Sequence, residues 1–325
     1  MKAEFVLTMT GTPIENRLAD LWCIVDTAQP GLLGDLKTFS SRFEQKRDRT
    51  DLAKLKERLD RGTRSRPPIM LRRLKADHLP GLPEKHEYAV ERRMPPIQAD
   101  YYGKAVQEAR ADRSRGKLLQ VLQRLRALSL HPLPPGAAAD DQYIAASARY
   151  VEMFEILDRI HTAGEKALIF IEFLEPQAYL ATLLQRRYRM GSPPLLINGA
   201  VTGRKRQERV DRFQAGLPGF DVILLSPRAG GVGITLTAAN HVIHLSRWWN
   251  PAVEDQCTDR VCRIGQTKAV HVYYPAALFP DDEEHSFDRR LHALLVEKRS
   301  LSRDMLIPPA ATDEDAQRLY NETIG

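Results

Sequence analysis

Between residues 147 and 275 the chain alternates two periodicities. Short apolar runs stand at 166–173, 195–197, 221–226, 241–245 and 270–274, and between them lie segments with helical spacing at 147–163, 177–188 and 203–214. The runs are almost continuously apolar rather than alternating, so each strand needs cover on both faces. Strands of this kind separated by helices predict an α/β fold with a parallel sheet and helices on both sides. A last amphipathic helix is expected at 286–305.

The region before residue 147 reads differently. Residues 5–9 form a short apolar run that ends in a turn signal at 10–13, the pattern of a buried strand. Leu18, Leu21, Trp22, Ile24 and Val25 recur at helical spacing, and Gln29, Pro30 and Gly31 stop that helix. Residues 34–75 are basic and helical in character, broken by Pro67 and Pro68. A strand is expected at 86–92, two helices at 97–131 and a flexible loop at 132–141. Internal repeats are absent.

Composition narrows the class. Hydrophobic residues make up 43%, enough for a core, and charged residues 28%. No apolar run approaches the roughly 18 residues that argue for a membrane-spanning helix. Three cysteines give neither a disulfide framework nor zinc spacing, and the first residues carry no secretory pattern, so a reducing, cytoplasmic setting is expected. The net charge of +6 favours a polyanionic partner such as nucleic acid.

Three segments carry chemistry. In 249–266 (WNPAVEDQCTDRVCRIGQ) Gln256, Arg260 and Arg263 are spaced four and three apart, which on a helix lines one face, and Gly265 is placed to end it. Arginine suits phosphoryl transfer because its charge is permanent and its donors form a planar fork. In 224–236 (LLSPRAGGVGITL) a strand runs into a glycine-rich turn and a helix, an arrangement whose backbone N–H groups can hold phosphate oxygens. Trp248, Trp249 and Asn250 follow the run at 241–245, where loops at the carboxyl edge of a parallel sheet gather. Each string alone also suits an ordinary turn or a solvated face, as does the basic set Arg204, Lys205, Arg206, Arg209 and Arg212.

Taken in order, these strings resemble the Swi/Snf branch of the superfamily-two helicase-like ATPases, bacterial members included. TGTPIENRL at 10–18 resembles the family's third motif, at the end of its first motor lobe. PGLLG at 30–34, MLRR at 70–73, LPEK at 82–85, LQRLR at 122–126 and His131-Pro132 resemble its helical protrusion and lobe junction. RKRQERVDRF at 204–213 and AGGVG at 229–233 are similar to the helix before the fifth motif and to that motif. WNPAVEDQ at 249–256 and DRVCRIGQ at 259–266 are similar to the sixth. Small departures accompany the match: Ile171-Glu172-Phe173 where serine-glutamine-phenylalanine is usual, Cys262 where histidine is common, and Ser246 and Arg247 in place of an acidic start.

The resemblance implies a RecA-like second motor lobe with a helical protrusion and a C-terminal brace. The expected division is 1–82 for the tail of the first lobe and the protrusion, 83–275 for the second lobe with a helical insertion at 97–145, and 276–325 for the brace. It implies Arg260 and Arg263 as arginine fingers, with Gln256, and Gly231, Gly233, Thr10 and Gly11 at the nucleotide. Ser226, Arg228, Trp249 and Arg206 would meet the backbone of double-stranded DNA. ATP with Mg²⁺ would be held mainly by a first lobe, and this chain would bind no metal itself. The setting implied is bacterial cytosol or nucleoid.

The 325 residues contain no G-x-x-x-x-G-K-[ST] string, and their Asp-Glu-x-His string, DEEH at 282–285, stands after the sixth-motif resemblance and not ahead of the third, where a first lobe would carry it. The expectation is a chain that alone hydrolyses ATP negligibly and works with a chain or domain carrying the first lobe. The apolar segments 5–9 and 15–28 would be left without the sheet they normally join. The competing expectations are a non-catalytic nucleic-acid-binding module and a truncated fragment without activity.

Overall fold

The computed structural model describes residues 5–10, 14, 17–45, 48–61, 67–71, 82–111, 117–216, 218–230, 233–304 and 312–325. They fall into two compact units: residues 1–80 with 249–252 and 295–312, and residues 81–248 with 253–294 and 313–325.

The first unit is built on helices α1 (Leu18–Ala28), α2 (Leu36–Ser40), which continues as a π-type turn at Ser41–Gln45, and α3 (Arg49–Asp60). Leu18, Leu21 and Val25 form the apolar stripe of α1 and bury against Phe39 of α2 and Leu52, Leu55 and Leu59 of α3. The turn after α1 needs positive φ at Gly31 and Gly34, and the Trp22 indole N–H closes it by donating to the Gly34 carbonyl at 3.0 Å. Asp48 caps α3 by accepting the Thr50 N–H at 2.7 Å. The apolar face of α1 is therefore covered locally, by the two helices that follow it, which corrects the expectation of a bare face. Residues 5–9 also differ from expectation: they form no strand, and Phe5, Leu7 and Met9 are exposed. A strand is stable only when its N–H and C=O groups meet a neighbouring ladder, and all the described strands belong to the sheet of the other unit.

The second unit is a six-stranded, all-parallel sheet: β1 (Lys85–Arg93), β2 (Lys166–Phe170), β3 (Leu195–Ile197), β4 (Asp221–Leu225), β5 (His241–His244) and β6 (Val270–Leu278), in the order β1-β6-β5-β2-β4-β3. Its helices are α4 (Pro96–Ala111), α5 (Leu118–Leu130), α6 (Asp140–Ala145), α7 (Ala148–Ala163), α8 (Leu174–Arg187), α9 (Gly203–Ala215), the single turn α10 (Pro227–Gly230), α11 (Pro251–Thr258), α12 (Phe287–Asp304) and α13 (Asp313–Ile324). Two cores explain the continuous apolar runs. Ala167 and Ile169 of β2 pack with Phe154 and Leu157 of α7 and Leu180 and Leu184 of α8. Leu168 and Phe170, on the opposite face of the same strand, pack with Val210 and Phe213 of α9 and with Cys257, Val261 and Cys262. No described helix is long and apolar enough to cross a membrane.

The segment 132–141 is not the flexible loop expected. Leu133 and Ala138 pack on the first core, α6 begins at Asp140, and His131 staples the segment from below. Its Nδ1 lies 3.0 Å from both the N–H and the carbonyl of Leu133, while its Nε2 faces the Tyr143 carbonyl at 2.9 Å. Burial pushes the His131 pKa down to about 4, so the ring is neutral near pH 7.

Candidate nucleotide and nucleic-acid interface

Strand β2 lies between β4 and β5, so the sheet reverses its winding there and the loops after β2, β4 and β5 gather at its carboxyl edge. Sheet-like pairing continues one or two residues past these strands: Ile171 N–H donates to the Leu225 carbonyl at 3.0 Å, Ser226 N–H to the Ile197 carbonyl at 2.9 Å and Ser246 N–H to the Phe170 carbonyl at 3.1 Å.

Buried arginines tie these loops down. Arg149 of α7 forks onto Asp288 of α12, with Nε to Oδ2 at 2.7 Å, and donates from Nη1 to the Leu245 carbonyl at 2.8 Å. Arg126 of α5 pairs with Glu172 after β2 and donates from Nη2 to the Arg247 carbonyl at 2.5 Å. Burial lowers the pKa of Arg126, and the Glu172 carboxylate opposes that shift. Arg247 itself forks onto Glu254 of α11 at 2.8 and 3.1 Å, and its Nη1 faces Nδ1 of His292 at 2.8 Å. The side chains of Arg149 and Asp288 are each 1% exposed, and those of Arg247 and Glu254 are 4% and 1% exposed. Each such charge is tolerable only because its partner and further donors satisfy it. Sequence reading passed over this set. The signal was available at Arg126, which stands at a core position of α5 beside Leu122 and Leu125.

The turn after β4 and the helix after β5 are stitched together at both ends. The Cys257 thiol of α11 donates to the Pro227 carbonyl at 3.5 Å, at the start of α10. Beyond the glycine turn, the Leu236 N–H donates to the Arg260 carbonyl at 2.9 Å and the Arg260 guanidinium reaches the Ile234 carbonyl at 3.4 Å. Arg260 is partly buried, and desolvation lowers its pKa, with the charge of Arg263 acting the same way. Arg263 is exposed, Gln256 is partly buried, and Gly233 is exposed with φ +63°.

The shared helix face expected for Gln256, Arg260 and Arg263 is not what forms. Helix α11 ends at Thr258, and both arginines stand in the turns that follow. The reason is the Arg260 carbonyl. In a continuing helix it would accept the N–H four residues on, and here it accepts from Leu236 instead. Burial of Val261 and Cys262 in the second core then pulls the chain inward, and Gly265 turns it with φ +98°.

The remaining candidates separate. Ser226 and Arg228 stand at the carboxyl edge just after β4, Ser226 partly buried and Arg228 exposed. Arg206 lies on α9, partly buried, with Nη2 to the Val201 carbonyl at 3.4 Å. Thr10 is exposed and Trp249 partly buried, both in the first unit. Gly11 and Gly231 lie outside the described residues, as do Arg72 and Arg73 of the string at 70–73.

Comparison with known proteins shows the family. The model of the SNF2-related domain matches residues 1–133, and that of the helicase conserved C-terminal domain matches residues 152–265. The chain is 36% identical over 323 residues to Zorya protein ZorD of Escherichia coli O139:H28, covering 94% of this chain and 29% of that protein. It is 34% identical over 290 residues to the putative ATP-dependent helicase/translocase YwqA of Bacillus subtilis, covering 84% of this chain and 30% of that one. Among solved structures it is similar to the Sulfolobus solfataricus SWI2/SNF2 ATPase core in complex with dsDNA, with TM-score 0.56, 31% identity, and coverage of 91% of this chain and 61% of that one. The chain thus spans about three-tenths of the length of these curated relatives. The parallel six-stranded sheet is the RecA-like fold of the C-terminal ATPase domain, and the chain belongs to the SNF2-related family of helicase-like ATPases.

Proposed function

We propose that this chain supplies the second-lobe wall of an ATP-driven translocase on double-stranded DNA, with Arg260 and Arg263 directed at the γ-phosphate of ATP held by a phosphate-binding first lobe. That lobe is either joined to the same polypeptide or carried by a partner. The observation that carries the reading is the lacing of Arg260 to the segment that leaves the glycine turn, through Ile234 and Leu236. A guanidinium beside the exit of a glycine-rich segment, whose composition suits phosphate oxygens, supports this reading. The chemistry of the donors fits a nucleotide rather than a metal: an arginine fork has only N–H donors and no lone pair for Mg²⁺, which arrives with the nucleotide. The names of the relatives, a putative ATP-dependent helicase/translocase and an ATPase core in complex with dsDNA, support the same substrates here.

Arginine fingers contribute about 10³–10⁵-fold in rate, but only to a nucleotide already clamped. The 325 residues alone are therefore expected to turn over ATP negligibly, and ATPase activity is expected when a lobe bearing the phosphate loop is present. In that assembly Arg260→Ala should lower kcat by about 10³-fold or more while ATP still binds. Turnover that survives the substitution would sink the proposal.

A further inference from the structure

Arg228, in the turn after β4, is exposed, and among the described residues no carboxylate pairs with it. Its guanidinium meets an aromatic face: the guanidinium carbon sits 5.4 Å from the ring centroid of Trp248, in the loop after β5. The same ring lies 5.8 Å from the guanidinium carbon of Arg126. The two arginines differ in kind. Arg126 is 4% exposed and neutralised by Glu172, whereas Arg228 faces water. The indole is held by its own backbone, since the Trp248 N–H donates to Glu254 Oε1 at 2.8 Å and the preceding carbonyl accepts from Arg126.

A guanidinium over an indole within about 6 Å is attracted by the ring's quadrupole, and its N–H edges stay free. A planar cation held in this way is pre-organised for a phosphate, because it loses less rotamer freedom when the fork engages two oxygens. We propose that Trp248 is a positioning residue for phosphate capture: it holds Arg228 in the geometry that grips a phosphodiester of duplex DNA, and Arg126, Glu172 and Glu254 fix the indole beneath it. The inference rests on the DNA-translocase reading and adds to it the residue that orients the contact.

The test measures binding of a short labelled DNA duplex to the full chain across a series of salt concentrations. Arg228→Ala removes one phosphate contact, so the slope of log K against log[salt] should become shallower by about 0.9. Trp248→Leu removes no charge, yet it should shallow the slope to the same extent. Combined with Arg228→Ala it should add almost nothing, since a lost platform and a lost guanidinium are the same loss. Trp248→Phe keeps an aromatic face and should restore the original slope. Trp248→Met is measured in parallel, and whichever ringless variant keeps the parent unfolding midpoint is read. A ringless variant with an unchanged slope, or losses that add independently, overturns the proposal. A parent chain with no salt-dependent duplex binding overturns the translocase reading, and this inference with it.

Discussion

Glu254 binds three groups with one carboxylate: both arms of the Arg247 fork and the Trp248 N–H. Removing it leaves Arg247 buried without its counter-ion, a loss of about 3–5 kcal/mol. Glu254→Ala is therefore expected to lower the unfolding free energy read from urea titration by that amount, and a change below about 1 kcal/mol would show that Arg247 is satisfied elsewhere. Gly233 makes the opposite case. Its φ of +63° lies in the left-handed region, and a Cβ built there meets nothing within 4 Å. Gly233→Ala should cost only the backbone term of about 1–2 kcal/mol, with no steric clash, as read by denaturant unfolding. The sequence placed this glycine in a turn leading to a helix; the helical turn instead forms ahead of it at Pro227–Gly230, and residues 234–240 run on to β5 without one. Glu254 was not legible in the sequence, because an acid inside a helix reads as a solvated face until its partner is located.

Among the elements, the stretch from α5 to α7 depends on a neutral imidazole. His131 has its pKa lowered from the usual 6.5 to about 4 by burial, so below about pH 6.5 the unfolded chain takes up a proton that the folded one does not. Stability is thus intact above pH 6.5 and falls toward pH 4, by as much as about 3 kcal/mol from this group. Burial also lowers the pKa of His241 and His271, which act in the same direction. Urea unfolding between pH 7 and pH 4.5 should show the decline, and His131→Gln, which keeps a donor for the Tyr143 carbonyl, should flatten it. An identical pH slope in the variant would refute the assignment. Helix periodicity predicted α1, α4, α5, α7, α8 and α12 close to where they form. It gave the wrong end for α11, because that end depends on a hydrogen bond to Leu236, far along the chain from the helix interior.

For the whole molecule, the net charge of +6 fits a polyanionic partner, and the turnover experiment with Arg260→Ala tests whether this chain completes a nucleotide cleft. The sequence by itself determined the parallel sheet, its doubly covered strands and the helix stripes. Burial on two faces leaves a mark at every position of a strand, and burial on one face leaves a mark every three to four residues of a helix. Only the tertiary structure decided that Arg126, Arg149 and Arg247 are interior struts, that α1 is covered by its own neighbours, and that Arg260 stands beyond its helix. Arg126, Arg149 and Arg260 depend on partners distant in sequence, Glu172, Asp288 and Leu236, and Arg247 and α1 on how nearer segments fold back, and periodicity holds no record of which residue will be adjacent once the chain has folded.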